Sequence, residues 1–266
     1  LEYLPVSGRV PHVAVITNLF ADHLNRYRDI SDYADAKANI FTGQNEGDFL
    51  ILNKQNKWTP YFLKKKPCAS VFFVSRTGLK GKENGIYCRK GRLVFRAEGI
   101  EQNLFPVTKF STVYGEHNLE NLMAAVLAIK LFDPTCVIAE QEVMRLSLPT
   151  MRQELVAKKG CIQVVNDSCA TSPDGTVAAI SRFGREGKVV LIAGGTDKVL
   201  EYSALATKIK SSLGEDDVVL LDGTATRKLH EQLRSFNPAT FNTLEECVVA
   251  ALRRARESKQ KKVTVL

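Results

Sequence analysis

From Cys161 to Leu266 the chain alternates between short unbroken apolar runs and longer amphipathic stretches. The runs are CIQVVND, KVVLIAGG, VVLLDG and KVTVL; the stretches from 173 and over 202–213, 226–233 and 244–257 carry helical spacing. A strand that is apolar on both sides has to be covered on both sides, and strand–helix–strand repetition joins its strands in parallel. This half is therefore expected to form a mostly parallel sheet with helices on both faces. Ligands of such sheets sit at the carboxyl ends of the strands. VVNDSCATSPDG and IAGGTDK both follow strands, so both are expected to line one cleft.

The first half opens in the same manner, with apolar runs at HVAVITNLF, DFLILN and ASVFFVS. GIYCRKGRLVFRAEG then alternates around Lys90-Gly91, a hairpin pattern. Helices are predicted over 117–132 and 136–146. A Leu-Pro step within Ser147–Met151 interrupts the pattern, which predicts two domains, 1–148 and 149–266.

Charge narrows the partners. With 37 basic and 29 acidic residues the net charge is +8, which favours anionic ligands. The Lys64-Lys65-Lys66 run is too short to be a nucleic-acid tail, and nucleic acid is not an expected partner. Cys68, Cys88, Cys136, Cys161, Cys169 and Cys247 show no CxxC and no metal-ligand spacing, so they read as reduced thiols. No signal-peptide pattern and no apolar run near 18 residues is present, so a soluble cytoplasmic protein without a membrane partner is expected.

Asn166, Asp167 and Ser168 follow a strand, so their side chains can face a ligand. Thr171 or Ser172 can cap the helix that begins at Pro173, and that helix start favours anions. Plain loop and cap chemistry would use the same groups. Gly194-Gly195 permits close backbone approach, and Lys198 supplies a point charge for a carboxylate or phosphate. Each pattern alone is weak.

Together they are specific. In order the chain reads LEYLP, TNLFADHLNRY, DYADAKANIF, GEHNLENLMAA, LPTMRQE, NDSCATSPDGTVAAI and GGTDK. This series resembles the Mur ligases of peptidoglycan synthesis over essentially the whole chain. GxHNxxN, DHLxRY and AKxxIF are shared by Mur-type ligases and folylpolyglutamate synthases. NDSxAT with GGxDK resembles the D-glutamate-adding members; other members carry a DYAH- or DSYNANP-like sequence there, and no DNPR occurs. The resemblance implies an α/β fold, a partial central parallel-sheet nucleotide-binding domain followed by a Rossmann-like α/β domain. It implies ATP-dependent amide formation: the carboxylate of UDP-N-acetylmuramoyl-L-alanine is phosphorylated, and the amine of D-glutamate attacks the acyl phosphate. Mg2+ and cationic groups stabilise the developing negative charge. A monomer is expected.

The resemblance also implies roles for particular residues. Glu2, His23 and Lys37 match magnesium ligands, Lys37 as a carbamylated lysine. Tyr33, Lys37 and Ile40 recur at helical spacing, which predicts a partly buried face for Lys37. Asn118 and Asn121, one helical turn apart, match contacts to adenine and the neighbouring nucleotide; simple capping by Asn118 is the alternative. Arg152 matches a group that reaches the ATP phosphates, and Asp167 one that contacts the ribose. Thr171 and Lys198, with Ser168 beside them, match the substrate side. His23, Lys37 and Lys198 form the expected catalytic set.

Two departures stand out. Cys169 occupies a position where the family often has lysine, so one cation is absent. No G-x-x-x-x-G-K-[ST] occurs, since TGLKGKENG has the wrong spacing. In the family's order that phosphate loop precedes Glu2, and a serine and phenylalanine that complete the D-glutamate pocket follow Leu266. The chain is thus expected to be truncated at both ends and inactive alone. The rival readings are another Mur- or folylpolyglutamate-type ligase and a non-catalytic nucleotide-binding relative.

Overall fold

The computed structural model describes residues 1–20 and 26–266, in two units, one built from Leu1–Phe20 and Tyr27–Leu146 and the other from Ser147–Leu266. In the first, α1 (Leu4–Ser7), β1 (Val13–Ile16), α2 (Ile30–Ala38), β2 (Phe49–Asn53), α3 (Thr59–Lys64) and β3 (Ser70–Ser75) are followed by β4 (Asn84–Arg89), β5 (Arg92–Ala97), β6 (Ile100–Pro106), α4 (Thr108–Tyr114), α5 (Glu116–Phe132) and α6 (Glu140–Val143). The sheet runs β1-β2-β3-β4-β5-β6, parallel from β1 to β4 and antiparallel beyond.

Successive strand residues point to opposite faces, and the apolar runs use both. Ala14, Ile16, Leu50 and Leu52 pack in one core with Ala34, Ala38 and Phe62 of α2 and α3. Ile51, Phe72 and Val74 pack in another with Leu119, Met123 and Leu127 of α5. At the hairpin tip Lys90 and Gly91 take φ of 50° and 73°, the paired positive φ that suits a tight turn between twisted strands.

The helix predicted over 136–146 is corrected to the single turn of α6. Lys130, 7% exposed, donates from Nζ to the carbonyls of Cys136 at 2.6 Å and Pro134 at 3.4 Å. Those carbonyls close the end of α5 and are not used to start a new helix.

The second unit contains β7 (Glu154–Lys159), β8 (Ile162–Asn166), α7 (Pro173–Phe183), β9 (Lys188–Gly194), α8 (Ser203–Ser212), β10 (Val218–Leu221), α9 (Thr224–Gln232), β11 (Ala239–Phe241), α10 (Leu244–Glu257) and β12 (Val263–Val265). Its sheet runs β11-β10-β9-β12-β8-β7, parallel except for the edge strand β7. From β8 to β11 the chain moves in one direction across the sheet, then returns to insert β12 between β8 and β9. Right-handed crossovers place helices of opposite travel on opposite faces. Accordingly α7, α8 and α9 share one core with Leu191 and Leu220, while Cys247 and Ala251 of α10 share another with Val190 and Val219. The fold is α/β with two sheets dominated by parallel pairing. No helix among the described residues is long and apolar enough to cross a membrane.

Candidate functional site

The carboxyl ends of β8 and β9 meet around a cavity of about 240 Å³. Ser168, Thr171 and Ser172 of the loop after β8, and Thr196 and Lys198 of the loop after β9, supply its polar groups. Leu200, Tyr202, Leu205 and Leu229 supply apolar walls. A second cavity of about 440 Å³ shares Ser168 and Gly194 and includes Asn166, Asp167 and Leu266. The two segments expected to line one cleft therefore do so.

Local chemistry explains the shape. Gly194 and Gly195 take φ of 138° and 107°. A Cβ on Gly194 would stand 2.2 Å from the Leu221 carbonyl oxygen, so only glycine lets β9 end this close to β10. Pro173 opens α7, as predicted, but neither candidate cap is used. Ser172 stands at the N-cap with no side-chain cap bond; its backbone oxygen accepts from Gly175 and Thr176. Proline at the first helical position has no N–H to leave unsatisfied, and Ser172 is instead one of the residues that line the cavity.

Lys198 follows Asp197, and Asp197 organises the loop. Its carboxylate is paired with Lys228 Nζ at 2.6 Å and accepts from Tyr202 Oη at 3.2 Å and from the Leu200 amide at 3.3 Å. The Asp197 amide in turn donates to Thr224 Oγ1 at 2.8 Å. Burial works against the Asp197 charge, but Lys228 and these donors hold its pKa below the ordinary carboxylate range. Burial and the adjacent carboxylate push the Tyr202 phenol up to about 12. Val199 sits at φ 60°, a strained conformation for a β-branched residue, of order 1–3 kcal/mol. Lys198 thus projects from a tightly fixed turn.

Arg152 is exposed and borders neither cavity. It lies in an arch tied to the loop after β8: the Gln153 amide donates to Asp167 Oδ1 at 3.0 Å, and the Cys169 amide donates to the Met151 carbonyl at 3.0 Å. Burial raises the pKa of Asp167 above the ordinary carboxylate range, against the opposing pull of the Gln153 amide, Arg152 and Arg182. Arg152 is thus close enough to act on the Asp167 charge.

In the first unit Lys37 is half-buried near the end of α2, with Nζ 5.1 Å from the Tyr33 ring centroid. The Leu1 carbonyl accepts a long 3.5 Å bond from Asn39, which ties the segment carrying Glu2 to the end of that helix. Asn118 and Asn121 share one face of α5. Asn118 Nδ2 donates to the Tyr114 carbonyl at 2.8 Å, closing α4 across Gly115, and Asn121 Nδ2 is 3.4 Å from Asn118 Oδ1. His23 lies outside the described residues. Among the described residues no group of three or more His, Cys, Asp or Glu is placed to hold a metal ion.

Sequence patterns did not single out a polar knot at the carboxyl end of the first sheet. Glu120 accepts from Asn53 Nδ2 at 2.8 Å and pairs with Arg76 Nε at 2.8 Å, while Asn53 also donates to Asn18 at 3.0 Å. Asn18 and Glu120 lie in the TNLFADHLNRY and GEHNLENLMAA segments, but nothing local points to their meeting at Asn53. Asp197 lies in GGTDK and Gln153 in LPTMRQE, but nothing local points to their pairing with Lys228 and Arg182.

Residues 3–129 match the Mur ligase middle domain. Over 252 residues, 93% of its length, the chain is 30% identical to UDP-N-acetylmuramoylalanine--D-glutamate ligase of Thermoanaerobacter sp. (strain X514), of which it spans 54%. The chain belongs to the Mur ligase family. Among solved structures it is similar to MurF from Acinetobacter baumannii, with TM-score 0.67 and 16% identity over 96% of this chain and 56% of that one. It is likewise similar to MurF ligase from Thermotoga maritima in complex with ADP, with TM-score 0.65 and 17% identity over 98% of this chain and 59% of that one. These structural likenesses concern the fold. The chain spans about half the length of the relatives it matches.

Proposed function

We propose that the chain is part of an ATP-dependent amide ligase of cytoplasmic peptidoglycan synthesis, acting as a monomer to add D-glutamate to UDP-N-acetylmuramoyl-L-alanine. The observation that carries this reading is the smaller cavity, at which the NDSCATSP and GGTDK segments meet. Among the described residues it presents one cation, Lys198, and hydroxyls from Ser168, Thr171, Ser172, Thr176, Thr196 and Tyr202 beside apolar walls, which suits a small amino acid carrying carboxylates. The D-glutamate assignment is supported by the name and 30% identity of the Thermoanaerobacter relative.

In this reading Lys198 and Thr171 hold D-glutamate carboxylates and Ser168 lies on the same wall. Asp167 accepts from the ribose and Arg152 neutralises phosphate charge, while Asn118 and Asn121 meet the base of ATP. ATP as cosubstrate is supported by the ADP complex of the Thermotoga relative. Magnesium would supply neutralisation of phosphate charge, with Glu2, His23 and Lys37 as its proposed ligands. Of these, Glu2 and Lys37 lie among the described residues and His23 does not.

The test is phosphate release by the natural full-length polypeptide with ATP, magnesium and UDP-N-acetylmuramoyl-L-alanine. D-glutamate should support turnover, and L-glutamate with a folate acceptor should not. Turnover only with the folate pair would move the protein to the folylpolyglutamate-type ligases. ATP binding without either turnover would make it a non-catalytic relative.

A further inference from the structure

Arg152 stands between two residues whose backbones are left-handed, Met151 at φ 59° and Gln153 at φ 51°. Glycine takes this conformation freely, whereas a residue with a side chain holds it only where its surroundings enforce it. The two steps differ in what enforces them. Met151 is half exposed, but Gln153 is 8% exposed and is gripped at both ends. Its amide donates to Asp167 Oδ1 at 3.0 Å, and its Oε1 accepts from Arg182 Nη1 at 2.6 Å. Arg182 belongs to α7, where its guanidinium carbon lies 4.7 Å from the Phe183 ring centroid. One glutamine therefore joins the arch that carries Arg152, the end of β8 and the body of α7.

We propose that Gln153, held by Arg182, is a positioning residue of the nucleotide site: it fixes the left-handed step that sets Arg152 and presents its amide to the Asp167 carboxylate. The proposal rests on the reading of Arg152 and Asp167 as ATP contacts. A bond from a charged guanidinium to a buried amide oxygen is strong and directional. Without it the step at 153 is free to relax toward ordinary backbone angles, which would move Arg152 and withdraw the donor from Asp167 together.

Glycine separates the backbone from the side chain. Gln153→Gly keeps the left-handed step accessible and removes only the acceptor for Arg182, whereas Gln153→Glu keeps an acceptor. Met151→Gly relieves the neighbouring step without touching Gln153. In the full-length polypeptide, Gln153→Gly should raise the KM for ATP about tenfold, the scale of one lost charge-assisted contact, with kcat and the KM for D-glutamate within a few-fold. Gln153→Glu should restore the KM for ATP, and Met151→Gly should leave it unchanged. An unchanged KM in Gln153→Gly, or an equal rise in Met151→Gly, would overturn the proposal. A second readout needs no activity: amide hydrogen exchange at Arg152–Glu154 should quicken in both Gln153→Gly and Arg182→Met, and unchanged exchange would overturn it as well. If the wild-type protein neither binds nor turns over ATP, the ligase reading falls, and the exchange rates still decide whether Gln153 and Arg182 hold the arch.

Discussion

Among the described residues Lys198 is the one cation on the wall of the smaller cavity, and Cys169 is not part of that wall. Lys198→Ala should therefore lose a charge-assisted contact of roughly 1.5–3 kcal/mol, seen as weaker D-glutamate use, while Cys169→Ser stays within a few-fold. The reverse pattern in steady-state kinetics would displace the assigned pocket. Asp167 makes a different prediction, because burial has raised its carboxyl pKa. The folded state then binds that proton more tightly than the unfolded chain, so its stabilising effect is complete at low pH. It is lost as pH rises through the unfolded value toward the folded one. Asp167→Asn removes that loss and should raise the melting temperature at neutral pH while weakening ATP binding; a lower melting temperature with unchanged ATP affinity would contradict both roles. Tyr202, at about 12, stabilises the fold below the ordinary phenol pKa of 10.0, and that contribution fades as pH climbs toward 12. One pKa unit is about 1.4 kcal/mol, so a shift from 10.0 to about 12 is on the order of 3 kcal/mol. Urea unfolding of wild type and Tyr202→Phe at pH 8 and 11 should show the gap between them closing at the higher pH. Lys198 was legible because a lysine after paired glycines at a strand end is a recognisable pattern. The Asp197–Lys228 pair that fixes its turn was not legible, since α9 brings Lys228 from 31 residues away only once the sheet is built.

At the scale of elements, apolar continuity made β1, β2, β3, β9 and β10 readable, because strands covered on both faces have little freedom in composition. The edge strands were not. β6 begins with four exposed residues and β7 is exposed at five of six positions, so neither has the long buried apolar run that marks the inner strands. Only the partner strands β5 and β8 define them. Gly85 is an instance of a contact that sequence cannot announce. It lies in β4 at φ 149°, and a Cβ there would fall 1.9 Å from the Phe73 carbonyl oxygen on β3. Gly85→Ala should cost roughly 2–5 kcal/mol by adding overpacking to backbone strain. Denaturant titration of the first unit's sole tryptophan, Trp58, is the measurement; a loss below about 1 kcal/mol would mean that β3 and β4 separate easily.

At the scale of the whole molecule, each unit closes its own cores: two sandwich the first sheet and two sandwich the second. Residues 147–266 expressed alone should therefore be soluble and unfold in one cooperative transition; a non-cooperative melt would show that this unit needs the rest of the chain. The placement of β12 also sets a timetable. Val263 pairs with Ile162 on one side and Lys188 on the other, so the middle of the second sheet is filled by a segment made long after both its neighbours. Closing such a loop carries an entropic cost before any contact rewards it, and distant parallel pairings are slow for that reason. Until β12 arrives, β8 and β9 are two unmatched edges that any extended peptide can enter. During synthesis the second unit thus passes through a window of vulnerability to misassembly, whereas the parallel strands of the first sheet join in the order in which they emerge.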